Sequence, residues 1–187
     1  MDSKMVENKI EENGNCKAQE RFVFRTVRPE ETEIAAGIEA ICFPPNEACS
    51  PEHIRERILA AAELFLVAVD KETGKIAGFL NGIATDEASF CDDFFLDAGL
   101  HRMDGENVML LGLDVLPEYR NQGLATEIVT QYLRRERDRN RKQLILTCLQ
   151  GKVAMYQKMG FLDRGIAASS WGGEQWHEMS YDIQKRA

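Results

Sequence analysis

The chain has 187 residues, 44% hydrophobic and 29% charged, with 23 basic and 31 acidic side chains and a formal net charge of −8. That length suits one compact domain with a sizeable core, and the acidic balance excludes broad binding to a phosphate backbone, which needs an excess of Lys and Arg. Five scattered cysteines, odd in number and without a Cys-x-x-Cys pair beside histidines, exclude a disulfide framework or a zinc site and point to a reducing cytosol.

Residues 1–20 are polar and mixed in charge, without the apolar stretch of a signal peptide. They read as a flexible or weakly helical tail, and no later run reaches the length of a membrane span. From Arg21 to Val27 the alternation of Phe22 and Phe24 predicts a strand. Thr32 is the expected cap of a helix whose apolar face is Ile34, Ala35, Ile38 and Ile41. That helix must stop before Pro44-Pro45. Ser50-Pro51-Glu52 starts another, with serine as cap, proline at the first helical position and glutamate at the positive end of the dipole. Leu64–Asp70 and Lys75–Ala84 read as two strands around the turn Lys71-Glu72-Thr73-Gly74. Residues 86–106 are irregular and acidic with embedded Phe90, Phe94 and Phe95, which predicts an excursion over the surface. The phenylalanines either line an apolar pocket or anchor that excursion.

Asn107 to Leu116 is an apolar run that reads as a strand buried on both faces. After a loop, residues 123–138 carry apolar side chains at 124, 125, 128, 129, 132 and 133, a helical spacing. A buried strand at 143–148, a short helix at 152–159 and strands from Phe161 and Trp176 complete the order β-α-α-β-β-β-α-β-α-β-β. This is one α+β domain from residue 21 to 187, a single mixed, mostly antiparallel sheet flanked by helices.

The strand, loop and helix from Leu110 to Tyr132 carry the chemistry. Gly123, lacking a Cβ, lets an anion approach the backbone. The helix it opens offers first-turn N–H groups without intrahelical partners and the positive end of a dipole. Together these make a site for a phosphate or pyrophosphate that needs no basic side chain. Ala125 keeps the approach open and Thr126 adds a hydroxyl.

The string Arg120-Asn121-Gln122-Gly123-Leu124-Ala125 resembles the acyl-CoA signature Arg/Gln-x-x-Gly-x-Gly/Ala of the GCN5-related N-acetyltransferase superfamily. Gly112-Leu113-Asp114-Val115, Leu146-Thr147-Cys148, Met155-Tyr156-Gln157-Lys158-Met159-Gly160-Phe161 and Trp176-His177-Glu178-Met179 extend the likeness over residues 22–183, most closely to the arylalkylamine (serotonin) N-acetyltransferase-like branch. The resemblance implies acetyl-CoA as cosubstrate, no metal, and direct attack by a small-molecule primary amine, arylalkylamine or polyamine-like. It implies that the backbone of Leu113, Asp114 and Val115 holds the pantetheine arm. The segment Arg120, Asn121, Gln122, Gly123, Leu124, Ala125 and Thr126 would hold the pyrophosphate, and Tyr156 would protonate the departing thiolate. The expected protein is cytoplasmic, a monomer or homodimer, with no nucleic-acid or membrane partner.

The sequence departs from the vertebrate enzymes of that branch where they carry two histidines. Met109 and Leu111 stand there and neither accepts a proton. In the insect enzymes a glutamate in the loop after the first helix is the base, which the resemblance carries to Glu47; Glu39 and Asp114 are the alternative carboxylates. Leu149 replaces an asparagine that contacts the pantetheine arm in many relatives. A protein or peptide acceptor, or an acyl-CoA sensor without turnover, remains open at this point. The basic run from Arg134 to Lys142 reads as the solvated end of a helix.

Overall fold

The structure, a computed structural model, describes residues 16–184; the sequence reading of residues 1–15 lies outside them. In chain order the elements are α1 (Cys16–Arg21), β1 (Phe22–Thr26), α2 (Thr32–Cys42), α3 (Pro51–Ala61), β2 (Phe65–Asp70), β3 (Ile76–Thr85), α4 (Asp93–Leu96), β4 (Asn107–Val115), α5 (Leu124–Asp138), β5 (Gln143–Leu149), α6 (Val153–Lys158), β6 (Leu162–Ile166) and β7 (Trp176–Asp182). The seven strands form one sheet in the order β1-β2-β3-β4-β5-β7-β6. Every neighbouring pair is antiparallel except β4 and β5.

Local chemistry places most element ends where the sequence predicts them. The Ser50 hydroxyl accepts from the His53 amide at 3.2 Å, and Pro51 follows at the first helical position. Replacing Ser50 with alanine removes that acceptor and is expected to destabilise the domain by about 1 kcal/mol. The check is a lower urea midpoint at an unchanged slope. The turn between β2 and β3 closes with Gly74 at φ +70°, in the left-handed region that favours glycine.

Three expectations are corrected. Thr32 is the first residue of α2 rather than its cap: a turn over Pro29–Glu31 precedes it, and its hydroxyl donates to the Pro29 carbonyl at 2.8 Å. The buried face of α2 is Ala35, Ala36, Ile38 and Glu39, whereas Ile34 and Ile41 are exposed. A carboxylate thus occupies a core position, and the stripe is rotated from the one that apolar residues alone suggest. The basic run after residue 134 is not simply solvated. Arg141 is buried, pairs with Glu136 at 3.3 Å and donates to the carbonyls of Met103 and Gly105. The end of α5 is thereby tied to the excursion between β3 and β4.

That excursion is anchored by its aromatics. Phe90, Phe94 and Phe95 are buried and pack on one another, with centroids 5.8 Å and 5.0 Å from Phe90. At the other end of the chain, α1 docks Ala18 into the core, and Gln19 donates to Glu127 of α5 at 3.0 Å.

The strand geometry that matters most lies at the centre. β4 and β5 pair only over Asn107–Met109 and Gln143–Ile145, then part company. On its other side β4 stays paired with β3 to Val115. In that ladder Asn81 opposes Gly112 and Gly82 opposes Leu110, so Leu111 is an extra residue, a bulge of the kind that re-aims a strand beside a site.

Candidate active site

Parting strands leave unpaired backbone groups that need partners. Here they open into a cavity of about 630 Å³, walled by Leu110 to Leu113 and Val115 on one side and by Leu146 to Leu149 on the other. Its floor is the loop and first turn of α5. Asn121 and Gly123 both have positive φ, +58° and +79°. The first intrahelical bond runs from the Glu127 amide to the Gly123 carbonyl, so the amides of Leu124, Ala125 and Thr126 precede the helical ladder. A left-handed Gly followed by three such amides is a concave anion cradle. The donor set therefore fits a phosphate or pyrophosphate.

The loop is braced from behind. Asp70, fully buried, accepts from Arg21 at 2.9 Å and from the Tyr119 hydroxyl at 3.0 Å. Arg21 also donates to Gln122 at 3.2 Å. The hydrogen bond from Arg21 holds the Asp70 carboxyl below the usual carboxylate range. Because the folded value is depressed, this support is complete above the ordinary aspartate range and is lost as pH falls through the folded value.

Of the residues singled out in the sequence, Glu47, Leu113, Val115, Arg120, Asn121, Gly123, Leu124, Ala125, Thr126 and Tyr156 all line the one cavity. Gln122 does not; its amide donates to the Glu118 carbonyl at 2.9 Å and shapes the loop instead. The Asp114 side chain does not line it either, being fully buried. Met109 is buried and away from the lining, while Leu111 faces the cavity as a bulged aliphatic residue.

Tyr156, on α6, stacks edge-on against Phe161 with centroids 5.6 Å apart. Burial first, then the Cys148 thiol and Asp114, push its hydroxyl well above the usual tyrosine range, so it stays protonated at neutral pH. Glu47 sits where three segments meet. Its backbone carbonyl accepts from the Trp171 indole at 2.7 Å, and Asn46 donates to the Gly172 carbonyl at 3.0 Å. Trp171 in turn stacks on Phe95 with centroids 4.7 Å apart, and the Trp176 indole donates to the Trp171 carbonyl at 2.8 Å. Burial, then repulsion from Glu174, raises the Glu47 carboxyl above its ordinary value. Trp171 escaped sequence reasoning. Its one signal was a large aromatic set in the small-residue string Ser169-Ser170-Trp171-Gly172-Gly173.

Among the described residues no group of three metal-ligating side chains is assembled and no helix is long and apolar enough to cross a membrane. His101 is used structurally, accepting from the Ala84 amide at 3.1 Å and facing Glu63 at 3.0 Å.

Comparison with known proteins bears on the family and the fold. The family model described as Acetyltransferase (GNAT) family matches residues 31–161. No curated protein matches the sequence. The loading GNATL domain of CurA from Lyngbya majuscula is similar in structure, with a TM-score of 0.74 at 19% identity over 88% of this chain and 98% of that one. So is the GphF GNAT-like decarboxylase in complex with isobutyryl-CoA, with a TM-score of 0.73 at 18% identity over 86% and 99%. The ribosomal-protein-S18-alanine N-acetyltransferase from Escherichia coli superposes with a TM-score of 0.62 at 18% identity over 87% and 94%.

Proposed function

Because the chain belongs to the acetyltransferase (GNAT) family, we propose that it moves the acetyl group of acetyl-CoA to a primary amine of a small molecule, arylalkylamine or polyamine-like, in the cytoplasm. One domain over residues 21–187 does this by direct attack, as in the arylalkylamine branch. The observation that carries the reading is a single cavity in which Tyr156 and Glu47 face the cleft between parted strands, above the Gly123 amide cradle.

Each residue has a defined task. The amides from Asn121 to Thr126 hold the pyrophosphate, and the open edge of Leu113 to Val115 holds the pantetheine arm. Glu47 takes a proton from the incoming ammonium, since its raised carboxyl is a better base than an exposed one. The attacking nitrogen bonds to the carbonyl carbon as the carbon–sulfur bond breaks, and Tyr156 supplies the proton that the sulfur needs. Glu47 in the lining, with the charge of Glu174 close enough to act on it, favours a cationic acceptor. The aromatic pair Phe95–Trp171 suits one with an apolar body.

The test is release of free thiol from acetyl-CoA across amines and peptides. Release with small amines alone supports the reading; release with peptides alone makes the acceptor a protein, and coenzyme binding without release makes the chain a sensor. For the base, a protonated Glu47 is inactive, so kcat/KM for the amine falls as pH drops through its raised value. Glu47→Gln is expected to lower kcat/KM about tenfold or more and to remove that acidic limb. A pH profile unchanged from wild type rules Glu47 out.

A further inference from the structure

At the cavity wall lies a buried cluster that the mechanism above does not use. Glu39 of α2 and Asp114 of β4 are 2% and 0% exposed. Their carboxyls converge over Gly112: a Cβ on that glycine would lie 3.2 Å from Asp114 Oδ2 and 3.4 Å from Glu39 Oε2. Glu39 Oε1 accepts from the Cys49 amide at 2.9 Å. Glu39 Oε2 and both oxygens of Asp114 meet no other donor among the described residues. Two facing buried carboxyls satisfy one another when one carries a proton and donates it to the other.

The surroundings fix which one holds the proton. Arg57 of α3, also buried, donates to the Asn81 side chain at 3.3 Å, to Cys49 Sγ at 3.0 Å and to the Phe95 carbonyl at 2.8 Å, and its charge balances one carboxylate. The other ionisable groups around the pair are Cys42, Cys49, Arg120 and Tyr156. Both thiols are pushed up to about 11, chiefly by burial, and so are neutral. Burial raises both carboxyls. The Cys49 amide that donates to Glu39 favours the ionised form there, so Glu39 is the carboxylate and Asp114 the proton carrier. Only Glu39 lines the cavity.

We propose that Glu39 is a second catalytic base, held ready by Asp114, which takes the proton that the amine nitrogen must shed after it has bonded to the acetyl carbon. This rests on the acetyltransferase reading above. The balance is complete. The ammonium loses its first proton to Glu47 on entry. The carbon–nitrogen bond forms, the carbon–sulfur bond breaks, and Tyr156 protonates the sulfur. The surplus proton on nitrogen passes to Glu39. The pair, now doubly protonated, returns one proton to the Tyr156 phenolate along the shared cavity, and Glu47 gives the proton it took from the ammonium to solvent, so pair, tyrosine and Glu47 are all restored. Asp114 acts through Glu39 and is a positioning residue.

The experiment is steady-state thiol release as a function of pH on three purified proteins: wild type, Glu39→Gln and Asp114→Asn. Melting temperature and acetyl-CoA affinity are measured beside it. Glu39→Gln should lower kcat about 100-fold, keep acetyl-CoA affinity within about twofold, and lose the acidic limb of kcat. Asp114→Asn still offers an N–H to Glu39. It should lower kcat only about fivefold and keep the limb, which a purely structural pair would not distinguish. If Glu39→Gln does not fold, Glu39→Asp takes its place, with at least a tenfold loss and the limb retained. Wild-type kcat in the Glu39 variant, or equal losses in both amides with the limb intact, overturns the proposal. Absence of thiol release by wild type with every amine overturns the acetyltransferase reading itself, and the second base with it.

Discussion

Tyr156→Phe lowers kcat by about 100-fold while KM for acetyl-CoA stays within about twofold of wild type, the pattern of an interaction made only in the transition state. The phenyl ring keeps the edge-on contact with Phe161, so the fold has no reason to change. What is lost is a proton donor placed in the cavity and kept protonated by its surroundings. A thiolate leaves an acyl carbon with less help than an alkoxide, which limits the effect to the lower part of the range for general acids. Full activity in this variant would remove Tyr156 from the mechanism.

Gly123→Val acts on binding rather than turnover. The residue has φ +79°, where a β-branched side chain is strained by about 1–2 kcal/mol, so the free loop relaxes out of the cradle and binding must restore that strain. Its branches would also stand in the cradle and displace the amides of Leu124 to Thr126 from the pyrophosphate, a further loss of about 1–2 kcal/mol. A total near 3 kcal/mol corresponds to about a 100-fold rise in the Kd for acetyl-CoA, readable by titration calorimetry. The melting temperature should fall only modestly, because Gly123 is exposed at a helix start. A Kd equal to wild type would detach the cradle from coenzyme binding.

These two residues stand in the most legible part of the sequence. The run Val108-Met109-Leu110-Leu111 reads as a doubly covered strand, and a glycine set between that strand and a periodic helix reads as an anion-binding turn. The charged core was less legible. Glu39, Arg57, Asp114 and Arg141 are buried by tertiary partners such as Cys49, 8 residues from Arg57, Met103, 38 residues from Arg141, and the Glu39–Asp114 pair, which is farther apart still. No local pattern distinguishes such residues from solvated ones. The rotated face of α2 follows from the same blindness, since Glu39 takes a place that periodicity reserves for an apolar side chain. The acceptor end was hidden for another reason: residues 43–48, 86–106 and 167–175 carry no period, and only the folded chain brings them together at Trp171.

The parting of β4 and β5 has one more consequence. It creates two sheet edges in the middle of a sheet, along Leu110–Val115 and Leu146–Leu149. Exposed edges invite other chains to add strands and aggregate, and proteins blunt them with charges, prolines or bulges. These edges are guarded by position, since they face one another across a narrow slot with helices at its mouth. Backbone groups can thus be offered to a thin, chain-like ligand without being offered to a neighbour's strand.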